Sequence, residues 1–127
     1  MTRGWLPLVR VRQLAIAGGI VIPLLETIRR SGDLAAWWLW IDDYLIGAAL
    51  LAGAWVSRTG SASGRRLLSG AWGIAAGMGY YSFAGHVLKA RETDVSGVSG
   101  MVTASVIGVF WLIALYALAS SILADDR

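Results

Sequence analysis

The sequence predicts an all-α integral membrane protein, a four-transmembrane-helix bundle with up-down-up-down topology and cytoplasmic N- and C-termini. The first observation is composition: 57% of residues are hydrophobic, 15% are charged, and the mean hydropathy is +0.63. A soluble domain has about 45–50% apolar and about 25% charged residues. The second is that four apolar stretches reach the roughly 20 residues that a helix needs to cross a bilayer. The third is that basic residues concentrate on one side of these stretches.

The four predicted spans share one domain, because 127 residues leave no room for a second. The first span has a basic start, as a signal peptide has. Glu26 to Arg30 follow its apolar centre, and they contain no small-x-small cleavage pattern. We therefore expect this span to be retained. Residues 1–127 are predicted to form a single four-helix transmembrane domain, with spans at about 11–28, 34–56, 67–88 and 101–124.

The orientation follows from the basic residues. With the N-terminus inside, the inner side holds seven of the 11 Lys and Arg residues and the outer side holds four. Because Lys and Arg favour cytoplasmic loops, this bias predicts cytoplasmic termini. We expect a multi-pass protein of the bacterial cytoplasmic (inner) membrane. Nucleic-acid binding is not expected, since the basic residues flank spans and form no continuous stripe. The inner residues are Arg3, Arg10, Arg12, Arg58, Arg65, Arg66 and Arg127, and the outer ones are Arg29, Arg30, Lys89 and Arg91.

Small residues predict where the helices touch. Gly73 and Gly77 lie four apart on the third span, and Ala49 and Gly53 repeat this spacing on the second. In lipid, such small-xxx-small pairs let two helix backbones approach closely. Two interpretations stay open at this point. The pairs either pack the second span on the third within one chain, or they form the seam of a homo-oligomer, most simply a dimer.

Ionisable residues within the spans are the candidate functional residues. A charged side chain at the centre of the bilayer costs roughly 2.5–3.5 kcal/mol on insertion scales, so its presence favours a functional role. We expect these side chains to converge on an outward-side pocket that binds a cation, a proton or a small ligand. The predicted ligand- or ion-binding residues are Asp42, Asp43, Glu26, His86, Tyr81 and Tyr80.

Each acidic candidate also has a plainer interpretation. If the second helix begins at Leu34, Asp42 and Asp43 lie about 12–14 Å along it, close to the middle of the membrane. If the apolar residues before them lie in the interface instead, both aspartates sit at the N-terminus of a shorter helix and suit its dipole. Glu26 is one helical turn from Arg29 and Arg30, a spacing that also permits an ordinary ion pair.

The histidine has a plainer interpretation too, as a hydrogen-bonded residue at the interface, because His86 follows Ser82 by one helical turn. No ligand spacing within one helix supports a metal site, and we predict neither a metal nor a cofactor. The chain has no cysteine, which excludes disulfides, thiolate metal sites and cysteine nucleophiles. A phosphate loop, a zinc-protease motif, a dinucleotide fingerprint and a serine elbow are likewise missing from the sequence.

Three functional hypotheses follow. The first is a small oligomeric carrier or channel-like protein, in which Asp42 or Asp43 binds a cation or proton. The second is an accessory or assembly subunit of a larger membrane complex, with polar residues that pair with partner helices. The third is a membrane-embedded acid–base enzyme acting on a lipid or isoprenoid-like substrate, and the sequence leaves open whether the chain is an enzyme at all. The expected partners are the lipid bilayer and either further copies of the chain or a partner membrane subunit.

Overall fold

The computed structural model describes residues 4–30, 37–38 and 41–123. These residues form an all-α structure without strands, apart from an isolated antiparallel bridge between Thr93 and Ser99. Two of the helices, α1 and α4, are long and apolar enough to cross a membrane. The four helices are α1 (Leu8–Arg29), α2 (Ile41–Ser57), α3 (Ala62–Leu88) and α4 (Gly100–Leu123).

The first, third and fourth helices agree closely with the apolar stretches in the sequence, whereas α2 does not. The apolar run predicts a second helix from Leu34, but α2 begins at Ile41. Trp37 and Trp38 before it form a 3₁₀ turn. Hydropathy alone does not define this boundary, because it cannot separate a helix from other apolar chain. Residues 34–36 and 39–40 of the second predicted span, and Ala124 of the fourth, lie outside the described residues.

Consecutive helices run antiparallel. Arg12 near the start of α1 donates from Nη1 to the carbonyl oxygen of Ser57 at the end of α2, at 3.1 Å. Near the other end of the same pair, the hydroxyls of Thr27 and Tyr44 are hydrogen-bonded. Packing contacts also join α2 to α3 and α3 to α4, and a smaller contact between α1 and α4 closes the bundle. The bundle therefore has two ends. At the Arg29 end α1 and α3 finish and α2 and α4 begin, and at the Arg65 end the reverse holds.

The core lies along the middle of the bundle and consists largely of small residues. Leu50 of α2 and Leu68 of α3 are completely buried, and alanines from all four helices surround them. Small side chains let the helix backbones approach closely, which increases the dispersion contact between them. The outward surfaces carry many exposed large apolar side chains, among them Ile20, Leu112 and Ile122.

Glycines divide into packed and unpacked positions. A Cβ added at Gly53 would lie 2.9 Å from Cα of Leu68, so this glycine is in the α2–α3 contact that the sequence predicts. Gly73 and Gly77 behave differently, because a Cβ on either would meet nothing within 4 Å. The third-span glycines therefore do not pack α3 on α2, and that part of the intrachain interpretation is wrong.

Aromatic residues fill the α3–α4 contact. The rings of Phe83 and Trp111 stack at 5.6 Å between centroids, with an interplanar angle of 16°. Each ring also covers a glycine on the opposite helix: Phe83 lies over Gly108, and Trp111 lies over Gly79. A Cβ at Gly108 would lie 2.7 Å from the ring of Phe83 and would push it away, whereas one at Gly79 would make an ordinary contact with Trp111 at 3.4 Å. Trp111, which lies mid-span in the sequence, is thus a packing residue between two helices.

Candidate functional site

Arg29, the last residue of α1, is the centre of a polar cluster at its end of the bundle. Its guanidinium donates to the carboxylate of Asp94 through two parallel bonds, Nε to Oδ2 at 2.9 Å and Nη2 to Oδ1 at 2.8 Å. The side chains are only 17% and 7% exposed, respectively. A bidentate Arg–carboxylate pair with little exposure is stronger than a surface ion pair. It ties the end of α1 to the loop between α3 and α4.

Glu26 joins the same guanidinium from one turn earlier on α1. Arg29 Nη1 lies 3.0 Å and 2.9 Å from the two carboxylate oxygens of Glu26. Arg30 adds a second ion pair, with Nε 2.5 Å from Glu26 Oε1. The structure thus has the local ion pairs that helical spacing permits. The negative charge of Glu26 is balanced by two arginines of its own helix.

His86 supplies the third partner of Arg29, from the last turn of α3. Its Nδ1 lies 2.7 Å from the carbonyl oxygen of Ser82, which can only accept, so Nδ1 carries the proton. Nε2 is then free of a proton and accepts from Arg29 Nη2 at 2.9 Å. Both ring nitrogens are therefore used, and the geometry requires the neutral tautomer. Protonation at Nε2 would place two hydrogen-bond donors opposite each other, the Nε2–H of His86 and the Nη2–H of Arg29.

Asp94 is held in place by its own loop. Ser96 donates to Asp94 Oδ2 from its hydroxyl at 2.7 Å and from its backbone N–H at 3.1 Å. Gly97, at φ +83°, completes the turn by donating its N–H to the carbonyl of Asp94 at 2.9 Å. The hydrogen bonds from Arg29 hold the pKa of Asp94 well below its usual range, against the opposing effect of burial. Asp94 is thus an ionised anchor for Arg29.

Asp42 and Asp43 lie in the first turn of α2. This position agrees with the alternative in which both aspartates sit at the N-terminus of a shorter helix, although residues 39–40 just before α2 lie outside the described residues. Both residues are half-buried, and the carboxylate of Asp43 interacts electrostatically with Glu26 and with Arg29 and Arg30. Oδ1 of Asp42 is buried and has no hydrogen-bond partner among the described residues. The N-terminal dipole of α2 favours negative charge here.

Tyr80 and Tyr81 are not in this cluster. The ring of Tyr80 packs against Trp111 at 5.5 Å between centroids, on the α3–α4 side. Tyr81 points outward and is 83% exposed. Of the six predicted site residues, the polar network joins Glu26 and His86. Asp42 and Asp43 lie beside it at the start of α2.

Sequence reasoning misses Arg29 and Asp94 as the two principal members. It places Arg29 among the outer basic residues and pairs it only with Glu26 of the same span, and it does not single out Asp94. One signal is present: Asp94-Val-Ser96 has the spacing in which a carboxylate accepts from the backbone two residues on. Nothing in the sequence indicates that this turn meets an arginine 65 residues away.

The chemistry available to the cluster is limited, because most of its polar side chains are already paired with one another. In the parts of the chain that the structure describes, no group of three or more His, Cys, Asp or Glu side chains is placed to hold a metal ion. Glu26, His86 and Asp94 all face arginine rather than an open pocket. Asp42 is the member whose buried oxygen lacks a described partner.

Comparison with protein-family models, curated proteins and solved structures finds no match.

Proposed function

We propose that the chain is a multi-pass membrane protein in which all four helices cross the bilayer. The support comes from where the apolar surface lies. Only 17% of the most apolar 18-residue stretch of α1 and 28% of that of α4 are buried in the bundle. In a water-soluble bundle such stretches face the core, and large exposed apolar surfaces are rare. At 17 residues α2 is about 26 Å long, at the short limit for a span.

The proposed orientation puts the Arg65 end in the cytoplasm, and the proposed location is the bacterial inner membrane. Both rest on the bias of basic residues toward that end. The cation–π contact of Arg58 with Trp55 suits this interface, with Cζ 3.4 Å from the ring centroid. Indole and guanidinium groups both favour the headgroup layer.

The function that the geometry supports best is that of an oligomer-forming assembly subunit, with a homodimer as the simplest form. The observation that carries this proposal is the outward face of α3. Gly70, Gly73 and Gly77 have open space where a Cβ would lie, although Gly53 on α2 is tightly packed. Glycine inside a helix weakens it by roughly 0.5–1 kcal/mol relative to alanine. Glycines that serve no contact with the residues the structure describes, yet keep one helix face flat, suit a second helix from another subunit.

The polar cluster also favours an assembly role over transport. The carrier hypothesis includes Glu26 in a cation or proton site with Asp42 and Asp43, but Glu26 is already paired with Arg29. Both ring nitrogens of His86 already have hydrogen-bond partners, Arg29 and the carbonyl of Ser82. A network saturated in this way holds helices together, and a carrier needs groups that exchange partners.

The test is a small-to-large substitution on the α3 face. The variant Gly77→Leu points into open space, so the fold of the single chain should be unchanged. The matched control is Ala17→Leu, an exposed position on α1. We expect size-exclusion chromatography with light scattering in mild detergent to give a dimer for wild type and control and a monomer for Gly77→Leu. Crosslinking in native membranes should agree.

Two results would contradict assembly through the α3 face. One is a wild-type chain that stays monomeric in the membrane at every protein density. The other is a dimer that withstands both Gly77→Leu and the double variant Gly73→Leu/Gly77→Leu. The second result would move the seam to another helix.

A second candidate function is cation or proton transport, and one observation favours it. Oδ1 of Asp42 is buried and has no described hydrogen-bond partner, which is costly unless the carboxyl group binds something. The test is ion or proton flux in liposomes containing wild type or Asp42→Asn/Asp43→Asn. Flux that requires the aspartates would support transport. The lack of wild-type flux above protein-free liposomes would count against it.

A further inference from the structure

A second polar region lies at the Arg65 end, far from the cluster around Arg29. A cavity of about 630 Å³ opens there between the start of α1, the α2–α3 turn and the end of α4. The described residues that line it include three arginines and no acidic residue. These arginines are Arg12, Arg65 and Arg66. The guanidinium groups of Arg12 and Arg66 add positive charge to this open cavity, which favours an anion.

Arg12 and Arg65 are held by carbonyl groups at helix ends. Arg12 donates from Nη1 to Ser57 at the end of α2, at 3.1 Å. Arg65 donates from Nε to the carbonyl of Ser121 in the last turn of α4, at 2.8 Å. A guanidinium has five N–H donors in a fixed plane, so anchoring Arg12 through one of them orients the remaining four. Such a fork matches the oxygens of a phosphate group.

The same cavity contains the N-terminus of α3. Ser61 caps this helix by accepting from the N–H of Gly64 at 3.0 Å, and Gly60 and Ala62 also line the cavity. The N-terminal dipole of a 27-residue helix adds partial positive charge to that of the arginines. The walls are mixed, because the apolar side chains of Leu8 and Ile122 stand beside the basic ones. This combination fits an anion attached to an apolar chain.

We propose that this cavity binds a phosphate group, carried either by an anionic lipid or by a soluble phosphate. The apolar walls match the lipid source, and basic pockets between membrane helices on the cytoplasmic side are known lipid-headgroup sites. The proposal shares with the proposed function the membrane location and the orientation of the bundle. It does not depend on the α3 face or on dimer formation, so the two can fail separately.

The experiment measures binding to the full-length chain in neutral detergent. The probes are short-chain phosphatidic acid, phosphatidylcholine with the same acyl chains, and inorganic phosphate, titrated by calorimetry and checked by native mass spectrometry. We expect saturable binding of phosphatidic acid and little binding of phosphatidylcholine. Tight binding of inorganic phosphate as well would assign a soluble phosphate as the source. No saturable binding of either phosphate would overturn the proposal.

The variants separate a site from general surface charge. Arg12→Gln/Arg66→Gln removes two charges from the cavity, while the amide introduced at position 12 keeps an N–H donor for the carbonyl of Ser57. Affinity for phosphatidic acid should fall about tenfold or more. The control Arg58→Gln removes one charge from the same end at a residue that does not line the cavity, and binding should persist. Equal loss in variant and control would overturn the proposal, and unchanged melting temperatures would show that folding is intact.

A rival occupant is the chain's own tail, since Asp125 and Asp126 follow α4 in the sequence. The variant Asp125→Asn/Asp126→Asn tests this directly. If the wild-type chain binds phosphatidic acid as tightly as this variant, the cavity is available to the lipid. If only the variant binds, the carboxylates of the tail occupy the cavity and the proposal is overturned.

Discussion

Gly19 of α1 and Gly47 of α2 lie face to face. A Cβ added to Gly19 would come within 2.9 Å of the carbonyl oxygen of Gly47, and one added to Gly47 within 2.8 Å of that of Gly19. Pro23 explains why the Gly19 carbonyl is available. It occupies the position four residues later and has no N–H, so the usual helical donor is missing. The proline and the glycine pair together bring α1 and α2 into backbone contact.

The first prediction concerns this contact. Gly47→Ala should destabilise the fold by about 1–3 kcal/mol, because the added methyl group meets backbone atoms that cannot rotate away. The control is Gly85→Ala, where a Cβ meets nothing within 4 Å, so the helix-forming preference of alanine should stabilise the chain slightly. Thermal unfolding in detergent, followed by circular dichroism, measures both. Equal melting temperatures for the two variants would contradict the close α1–α2 contact.

The second prediction concerns the anchor of the α3–α4 loop. Asp94→Asn removes the charge that receives two hydrogen bonds from Arg29, and the free energy of unfolding should fall by about 2 kcal/mol. The loop from 94 to 100 should also exchange its amide hydrogens faster. Glu92→Gln is the matched control, since Glu92 is exposed on the same loop. Equal protection of the loop amide hydrogens in wild type, Asp94→Asn and Glu92→Gln would contradict the anchoring role of Asp94.

The third prediction is the pH dependence of this anchor. The pKa of Asp94 is lower in the folded chain than in the unfolded one, because Arg29 donates to its ionised form. The folded state therefore binds fewer protons than the unfolded state, and the stabilisation is fully present above about pH 4, the ordinary aspartate value. It is lost as the pH falls further toward the lowered pKa. Unfolding experiments should show that wild type loses its advantage over Asp94→Asn in this acidic range. An advantage that stays constant down to about pH 2 would be inconsistent with the ion pair.

The fourth prediction tests the tautomer of His86. Nε2 accepts from Arg29, so a neutral side chain with an acceptor should replace it with little loss. We expect His86→Gln to stay near wild-type stability, whereas His86→Lys should lose about 2 kcal/mol or more by opposing two cations. Both variants have long, polar side chains, so the comparison isolates charge. A lysine variant as stable as the glutamine variant would show that Arg29 does not face this position.

The sequence by itself determined that the chain is built from helices and approximately where three of them lie. Composition and the spacing of apolar stretches are one-dimensional properties, and they predict α1, α3 and α4 to within a few residues. The start of α2 was not determined, because an apolar run before Ile41 has the same hydropathy whether or not it is helical. Local spacing was also informative: the pairing of Glu26 with Arg29 and Arg30 follows from positions three and four residues apart.

Only the tertiary structure decided which residues meet across the bundle. The rotation of each helix about its axis determines that Gly47 and Gly53 are buried while Gly70 and Gly77 face outward, although all four are glycines. The path of the α3–α4 loop determines that Asp94 reaches Arg29. Neither property is encoded in a short window of sequence, because each depends on contacts between segments tens of residues apart.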